Sequence, residues 1–265
     1  MSPNSINQMK TPVVIDQYSA ATVPIQMFFD GTALSSATAF IWAEGEKFFL
    51  ISNWHNFSGC DPFTKQHLSP TAAEPNSVQA WLNLKGKLGR MFADSFPLRD
   101  PAGQPLWWVH PSYRETVDVA ALPLTPPDNA DMYAINHMSS QQLQIAVGMD
   151  VFVLGYPFGV GPGGFPVWKR GSIAAEPQVL DPNRPCLLID TASREGMSGS
   201  PVIRRSWVSH MLEDGNTTVG AATATRLVGV YSGRLATTDP LDAQLGLCWP
   251  ANFVGEIVAG QQRDL

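Results

Sequence analysis

One serine in this chain has the setting of a nucleophile. Ser198 lies in the segment GMSGSP at 196–201, between glycines and ahead of a proline. A serine hydroxyl is a poor nucleophile at neutral pH, so it needs a histidine base and a carboxylate that orients the base. The sequence offers both, because His55 follows the apolar run at 47–54 and Asp118 begins another apolar run. These three residue types predict acyl transfer through a covalent acyl-enzyme.

The order of the three residues along the chain distinguishes between hydrolase architectures. An α/β-hydrolase has the order Ser, Asp, His, with its serine in G-x-S-x-G, whereas a subtilisin has the order Asp, His, Ser. Here position 200 is not glycine, and the only histidine after Ser198 is His210. Asp16 and Asp30 precede His55, but neither lies in a recognisable motif. The chymotrypsin order, His then Asp then Ser, fits best.

Length and composition agree with an all-β protein. A chain of 265 residues suits one large all-β domain or two barrels, and it can bury a sizeable core. The chain contains 22 prolines, more than the usual share of about 5%, which favours short strands and ordered turns. The net charge is −6 without a basic block. We therefore expect no nucleic-acid partner and no binding to anionic membranes.

Several short motifs give the chain a family resemblance. It resembles the trypsin-like (chymotrypsin-fold) serine peptidases, and within them the bacterial HtrA-type proteases. The motifs run in family order: GT at 31–32 with TAFI at 38–41, DVA at 118–120, GYPFG at 155–159, GSI at 171–173, GMSGSP at 196–201 and VGVYS at 228–232. The resemblance implies two six-stranded antiparallel (Greek-key) β-barrels with the triad in the cleft between them. No PDZ domain is expected.

The periodicity of the sequence fits this architecture. Short apolar and β-branched runs separated by turn residues predict about twelve strands. Residues 38–43 and 47–52 form a predicted hairpin that presents His55 just past its second strand. Phe253, Val254, Ile257 and Val258 follow helical spacing, which predicts a final amphipathic helix packed on the second barrel.

We predict five parts of the chain from these patterns. They are an N-terminal extension (1–21), a first barrel with the histidine and aspartate (22–124), a linker (125–142), a second barrel with the serine and the specificity pocket (143–250), and a C-terminal helix and tail (251–265). In this arrangement neither barrel alone carries a complete triad.

The resemblance also implies a role for each residue of the site. His55 would act as the base and Asp118 would hold the correct imidazole tautomer. The backbone N–H groups of Gly196 and Ser198 would form the oxyanion hole. Ser232 would support the triad by donating a hydrogen bond to Asp118. No cofactor and no metal ion are expected.

Two residues near the triad depart from the family pattern. Met197 replaces an aspartate that digestive relatives pair with a new N-terminal amine after zymogen cleavage, and a thioether cannot form that ion pair. We therefore expect no activation by N-terminal trimming and an oxyanion loop ordered by packing, oligomerisation or an activating protein partner. Trp54 stands where relatives have a small residue, and we expect it to alter the packing behind His55.

The substrate pocket is predicted by position only. Ala192 falls where trypsin carries the acid at the floor of its pocket, so cleavage after Lys or Arg lacks an anchor. Ser232, Gly233 and Arg234 complete the predicted pocket. A small or medium apolar P1 residue is the default expectation, although Arg234 could favour an acidic one.

The three cysteines and the N-terminus bear on the cellular compartment in which we expect the protein. Cys60, Cys186 and Cys248 are odd in number and lie in unrelated surroundings, which favours reduced thiols of an intracellular, cytoplasmic protein. The resemblance to the HtrA-type proteases implies a bacterial one. The N-terminus lacks the basic and apolar regions of a secretory signal, and no apolar run is long enough to span a membrane. A metal site at Cys60 and His67 lacks a second pair of ligands.

We expect a serine endopeptidase that acts on protein or peptide substrates. Two alternatives remain open at this point. One is a catalytically silent scaffold of the same fold, with a misaligned triad, that serves as a protein-binding module. The other is an esterase or another acyl transferase on this fold.

Overall fold

The first half of the chain forms an antiparallel, barrel-like sheet. The computed structural model describes residues 14–192, 194–220, 222–234 and 244–265, without the side chain of Arg234. Nine strands in this sheet follow the order β17-β6-β7-β3-β2-β1-β4-β5, with β8 beside β4. Their bounds are Thr22–Phe29 (β1), Thr32–Glu44 (β2), Lys47–Ser52 (β3), Ser77–Leu84 (β4), Lys87–Pro97 (β5), Trp108–Val109 (β6), Ala120–Leu124 (β7), Ala130–Asp131 (β8) and Gln262–Arg263 (β17).

The second half contains a closed barrel of six antiparallel strands in the order β10-β11-β16-β15-β12-β9. A separate hairpin of two short strands, β13 and β14, lies outside this barrel. The strands are Asp150–Gly155 (β9), Val167–Ile173 (β10), Leu187–Asp190 (β11), Pro201–Ser206 (β12), Ser209–Met211 (β13), Thr217–Val219 (β14), Ala224–Arg234 (β15) and Leu245–Pro250 (β16).

The described helices are all short. The α-helices are Gln17–Ala21 (α1), Trp54–Ser58 (α2) and Asn252–Gly260 (α3), and single 3-10 turns occur at Ile135–His137, Pro157–Gly159 and Pro162–Gly164. Among the residues that the structure describes, no helix has the length and apolar character needed to cross a bilayer.

The predicted β2–β3 hairpin is present and is buried on both faces. Phe40 pairs with Ile51, and Ile41 pairs with Leu50. Successive strand residues point to opposite faces. Ile41 and Leu50 accordingly lie in the core of the first sheet, whereas Phe40, Phe49 and Ile51 lie in a cluster shared with the second barrel. Each such side chain contributes about 1.5–3 kcal/mol through burial, so the hairpin holds the two halves together.

The all-β fold with a C-terminal helix is confirmed, with two differences from the prediction. The first sheet has nine strands and not six, because three two-residue strands, β6, β8 and β17, join the six longer ones. Of these, β17 returns from the C-terminus to pair with β6. In addition, α3 contacts both halves and not the second barrel alone. Its apolar face shares one buried cluster with Phe49 of the first sheet and Trp249 of the second barrel.

Candidate active site

The start of α2 places His55 against Asp118. Strand β3 ends at Ser52, and Asn53 caps the helix in extended conformation. The Asn53 side chain donates from Nδ2 to the carbonyl of Asp118 at 2.7 Å, and the backbone N–H of His55 donates to Asp118 Oδ1 at 2.9 Å. These two bonds fix the position of the helix relative to Asp118, and neither of them involves the imidazole.

The imidazole and the carboxylate form a close pair. His55 Nδ1 lies 2.7 Å from Asp118 Oδ2, the His55 side chain is 15% exposed and the Asp118 side chain is fully buried. Because a carboxylate oxygen only accepts, Nδ1 carries the hydrogen and Nε2 is free to act as a base. Burial opposes the charged imidazolium, but the charge and hydrogen bond of Asp118 outweigh it and raise the pKa of His55 above its ordinary value.

The Ser198 loop is anchored to the first sheet across the boundary between the two halves. The N–H of Thr38 in β2 donates to the carbonyl of Ser198 at 2.9 Å, and Thr38 Oγ1 donates to the carbonyl of Gly196 at 2.7 Å. On the other side, the N–H of Gly199 donates to the carbonyl of Tyr231 in β15 at 2.8 Å. The loop is therefore held by one strand from each half.

The glycines in this loop are required by its conformation. Gly196 has φ +89°, and a Cβ there would collide with the carbonyl oxygen of Tyr156. Gly199 has φ +84°, and a Cβ there would collide with the carbonyl oxygen of Thr38. Since residues with a Cβ rarely adopt such φ values, only glycine lets this loop approach the neighbouring backbone so closely.

Two backbone amides of the loop have no acceptor in the part of the chain that the structure describes. The N–H of Met197 donates to the carbonyl of Arg194 at 3.2 Å, but the N–H groups of Gly196 and Ser198 have no acceptor among the described residues. Met197 itself is fully buried in the core of the second barrel. The side chain between the two amides thus anchors the loop while the amides stay available to a ligand.

His55 lines a cleft of about 490 Å³. His55, Asp118, Ser232 and Gly233 all line it. Ser198 Oγ lies 3.8 Å from the position that a Cβ on Gly233 would take, so the hydroxyl is close to a residue that lines this cleft. No hydrogen bond joins Ser198 Oγ to His55 in the described part of the chain.

The predicted supporting and pocket residues are placed as follows. Ser232 lines the cleft beside Asp118, but the hydrogen bond predicted between them is not present among the described residues. Both oxygens of the carboxylate accept from His55. Ala192 follows β11 and is half-buried. The side chain of Arg234 lies outside the described residues.

Sequence comparison identifies the family. A model described as a trypsin-like peptidase domain matches residues 37–208, which is more than half of the chain. The chain belongs to the trypsin-like peptidase family. A search of the curated proteins finds no match.

Solved structures share the fold of this trypsin-like peptidase at low sequence identity. The structure described as Deg5 is 14% identical, with 92% of each chain covered and a TM-score of 0.53. The HtrA-type protease AlgW, solved with a tripeptide, is 14% identical over 92% of this chain and 60% of its own, with a TM-score of 0.51. A serine endoprotease from Yersinia pestis is 12% identical over 94% of this chain and 67% of its own, with a TM-score of 0.50. The chain therefore spans only three fifths of AlgW.

The C-terminal tail of this trypsin-like peptidase reaches the residue before His55. Trp54 is almost fully buried, and its Nε1 donates to Asp264 Oδ2 at 2.6 Å. Trp107 Nε1 donates to the same oxygen at 3.0 Å. Sequence reasoning singled out Trp54 but missed Asp264, because no local motif marks an aspartate at the end of the chain as a partner of two indoles. The tail thus fixes the tryptophan that departs from the family pattern.

Proposed function

We propose that the protein is a serine endopeptidase that uses Ser198, His55 and Asp118 and forms a covalent acyl-enzyme. The observation that carries this proposal is the buried Asp118 carboxylate, which holds His55 by its backbone N–H and its Nδ1. This double contact holds the base in the cleft that Gly233, the neighbour of Ser198, also lines. Membership of the trypsin-like peptidase family supports the same chemistry.

The proposed reaction follows from these positions. Ser198 Oγ attacks the substrate carbonyl while His55 Nε2 takes the hydroxyl proton. The resulting oxyanion accepts hydrogen bonds from the N–H groups of Gly196 and Ser198, which have no acceptor among the described residues. His55 then gives its proton to the leaving amine, and a water molecule repeats the sequence to release the acyl group from Ser198.

A silent scaffold is the second candidate, and one observation favours it. Ser198 Oγ forms no hydrogen bond with His55 in the described part of the chain. However, such bonds are often long in the free enzyme and shorten when substrate binds. The family membership and the ordered oxyanion loop therefore favour the active enzyme.

Labelling by a fluorophosphonate tests the proposal, because this reagent reacts only with an activated serine hydroxyl. We expect one label per chain, located at Ser198 by mass spectrometry, and none in the Ser198→Ala variant. A folded protein that takes no label would support the binding scaffold. Labelling together with ester hydrolysis, but without cleavage of any peptide or denatured protein, would support the esterase.

The pH dependence of labelling tests the role of the His55–Asp118 pair. Only neutral His55 accepts a proton, and Asp118 stabilises the imidazolium. The raised pKa of His55 therefore moves the acidic limb of the pH–rate profile to higher pH. We expect the labelling rate to rise with a midpoint above the ordinary histidine value of about 6.5. In Asp118→Asn the rate should be far lower and its midpoint should shift to lower pH. A profile without an acidic limb would contradict the assignment of His55 as the base.

A further inference from the structure

Three metal-binding side chains converge in the loop between α2 and β4. They are Cys60, His67 and Glu74, whose ligand atoms all lie within 4.8 Å of one another. An isolated antiparallel bridge pairs Cys60 with His67, so the backbone itself sets the distance between these two side chains. From the sequence, Cys60 and His67 lacked further ligands; the fold adds Glu74 as the third.

Two of the three ligand–ligand distances in this cluster are close to those expected around one zinc ion, and the third, between Cys60 and Glu74, is within 4.8 Å. Cys60 Sγ lies 3.7 Å from His67 Nδ1, and His67 Nδ1 lies 3.6 Å from Glu74 Oε1. In a tetrahedral site the Zn–S distance is about 2.3 Å and the Zn–N distance about 2.0 Å, so the sulfur and nitrogen ligands lie about 3.5 Å apart. The nitrogen and oxygen ligands lie slightly closer to each other than that. The Cys60–His67 and His67–Glu74 distances therefore need to shorten by only a few tenths of an ångström for these atoms to bind one ion.

A neighbouring arginine orients the glutamate for this role. Arg99 Nη2 donates to Glu74 Oε2 at 2.6 Å, which leaves Oε1 directed toward His67. The guanidinium is held in turn, because its Nη1 donates to the carbonyl of Gly103 at 3.1 Å. Carboxylate ligands of zinc are commonly fixed by such a hydrogen bond on the second oxygen. Arg99 also offsets part of the repulsion between a thiolate and the glutamate.

We propose that Cys60 Sγ, His67 Nδ1 and Glu74 Oε1 bind a Zn²⁺ ion with a fourth position open to water. The mixed sulfur, nitrogen and oxygen donors suit zinc, and a hard cation such as Mg²⁺ or Ca²⁺ would require oxygen ligands. Binding displaces the thiol proton to solvent, so the ion holds a thiolate, a neutral imidazole and a carboxylate.

The site lies at the edge of the cleft that contains His55. The loop that carries the three ligands also supplies Phe63 and Leu68 to the wall of this cleft. An ion bound between Cys60, before these residues, and Glu74, after them, would close the loop at its base. Zinc would thereby stabilise one wall of the cleft without contacting His55 or Ser198.

The test uses the full chain as the Ser198→Ala variant, which prevents self-cleavage and makes the result independent of peptidase activity. After removal of metal with a chelator, we titrate Co²⁺ as a spectroscopic probe and then Zn²⁺ by calorimetry. We expect one ion per chain, a thiolate-to-cobalt charge-transfer band, and loss of that band when Zn²⁺ is added. Bound zinc should also raise the melting temperature.

Single substitutions locate the ion. Cys60→Ser and His67→Gln should each weaken Zn²⁺ binding by more than about 100-fold. Loss of only a hydrogen-bond partner of a metal ligand already lowers metal affinity by about 10–100-fold. Glu74→Gln should weaken it as well. His67 and Glu74 side chains are 42% and 39% exposed, so these two variants should fold normally. Cys186→Ser and His137→Ala are the matched controls and should bind as the parent does. Absence of saturable binding, or a charge-transfer band that survives Cys60→Ser, would overturn the proposal.

Discussion

Ser198→Ala and His55→Ala are each expected to lower kcat for peptide hydrolysis by about 10⁴-fold or more, and the double variant should lose little beyond either single one. The reason is that the hydroxyl and its base act as a unit: without the base the hydroxyl stays a poor nucleophile, and without the hydroxyl the base has no proton to take. Steady-state rates on a denatured protein and on short peptides measure the effect.

The same loop provides a matched control for the serine. Ser200 is fully buried, and its hydroxyl has no hydrogen-bond partner among the described residues. Ser200→Ala should therefore retain activity and leave the protein at least as stable, because no hydrogen bond is lost. His137→Ala, at an exposed position, is the control for the histidine. Near-normal activity of Ser198→Ala, or additive losses in the double variant, would contradict the triad.

Met197→Asp is expected to suppress turnover although none of the three triad residues is changed. Met197 is fully buried in the core of the second barrel, in one cluster with Val153 and Val202. An aspartate there would bury a carboxylate without a partner at a cost of several kcal/mol, on the order of the penalty for an unpaired buried charge. Because Met197 lies between the Gly196 and Ser198 amides, relief of this penalty would displace the oxyanion loop.

Peptidase rates and thermal unfolding of three forms test this expectation. Met197→Leu nearly conserves the volume and the apolar character of the side chain, so it should cost less than about 1.5 kcal/mol and keep most of the activity. The aspartate variant should lose activity and melting temperature together. An aspartate variant as active as the parent would show that apolar packing of Met197 does not order the loop.

Several features of this protein could be predicted from local sequence patterns. The all-β class follows from short apolar runs broken by turn residues, since strand periodicity and turn chemistry are local properties. The β2–β3 hairpin that presents His55 needed only the apolar runs on both sides of Gly45. Ser198, His55 and Asp118 were identified as candidates because each lies in a short motif of its own and because the order of the three is informative.

Other features depend on contacts between residues far apart in the chain. The bond from Thr38 to the Ser198 carbonyl, the meeting of Trp54 with Asp264 and the approach of Glu74 to His67 all join segments whose local patterns are unrelated. Likewise, His55 donates to both oxygens of Asp118, and the predicted bond from Ser232 is absent among the described residues. Spacing along the sequence determines which face of a strand a side chain occupies, but only the packed tertiary structure determines which partner it meets there.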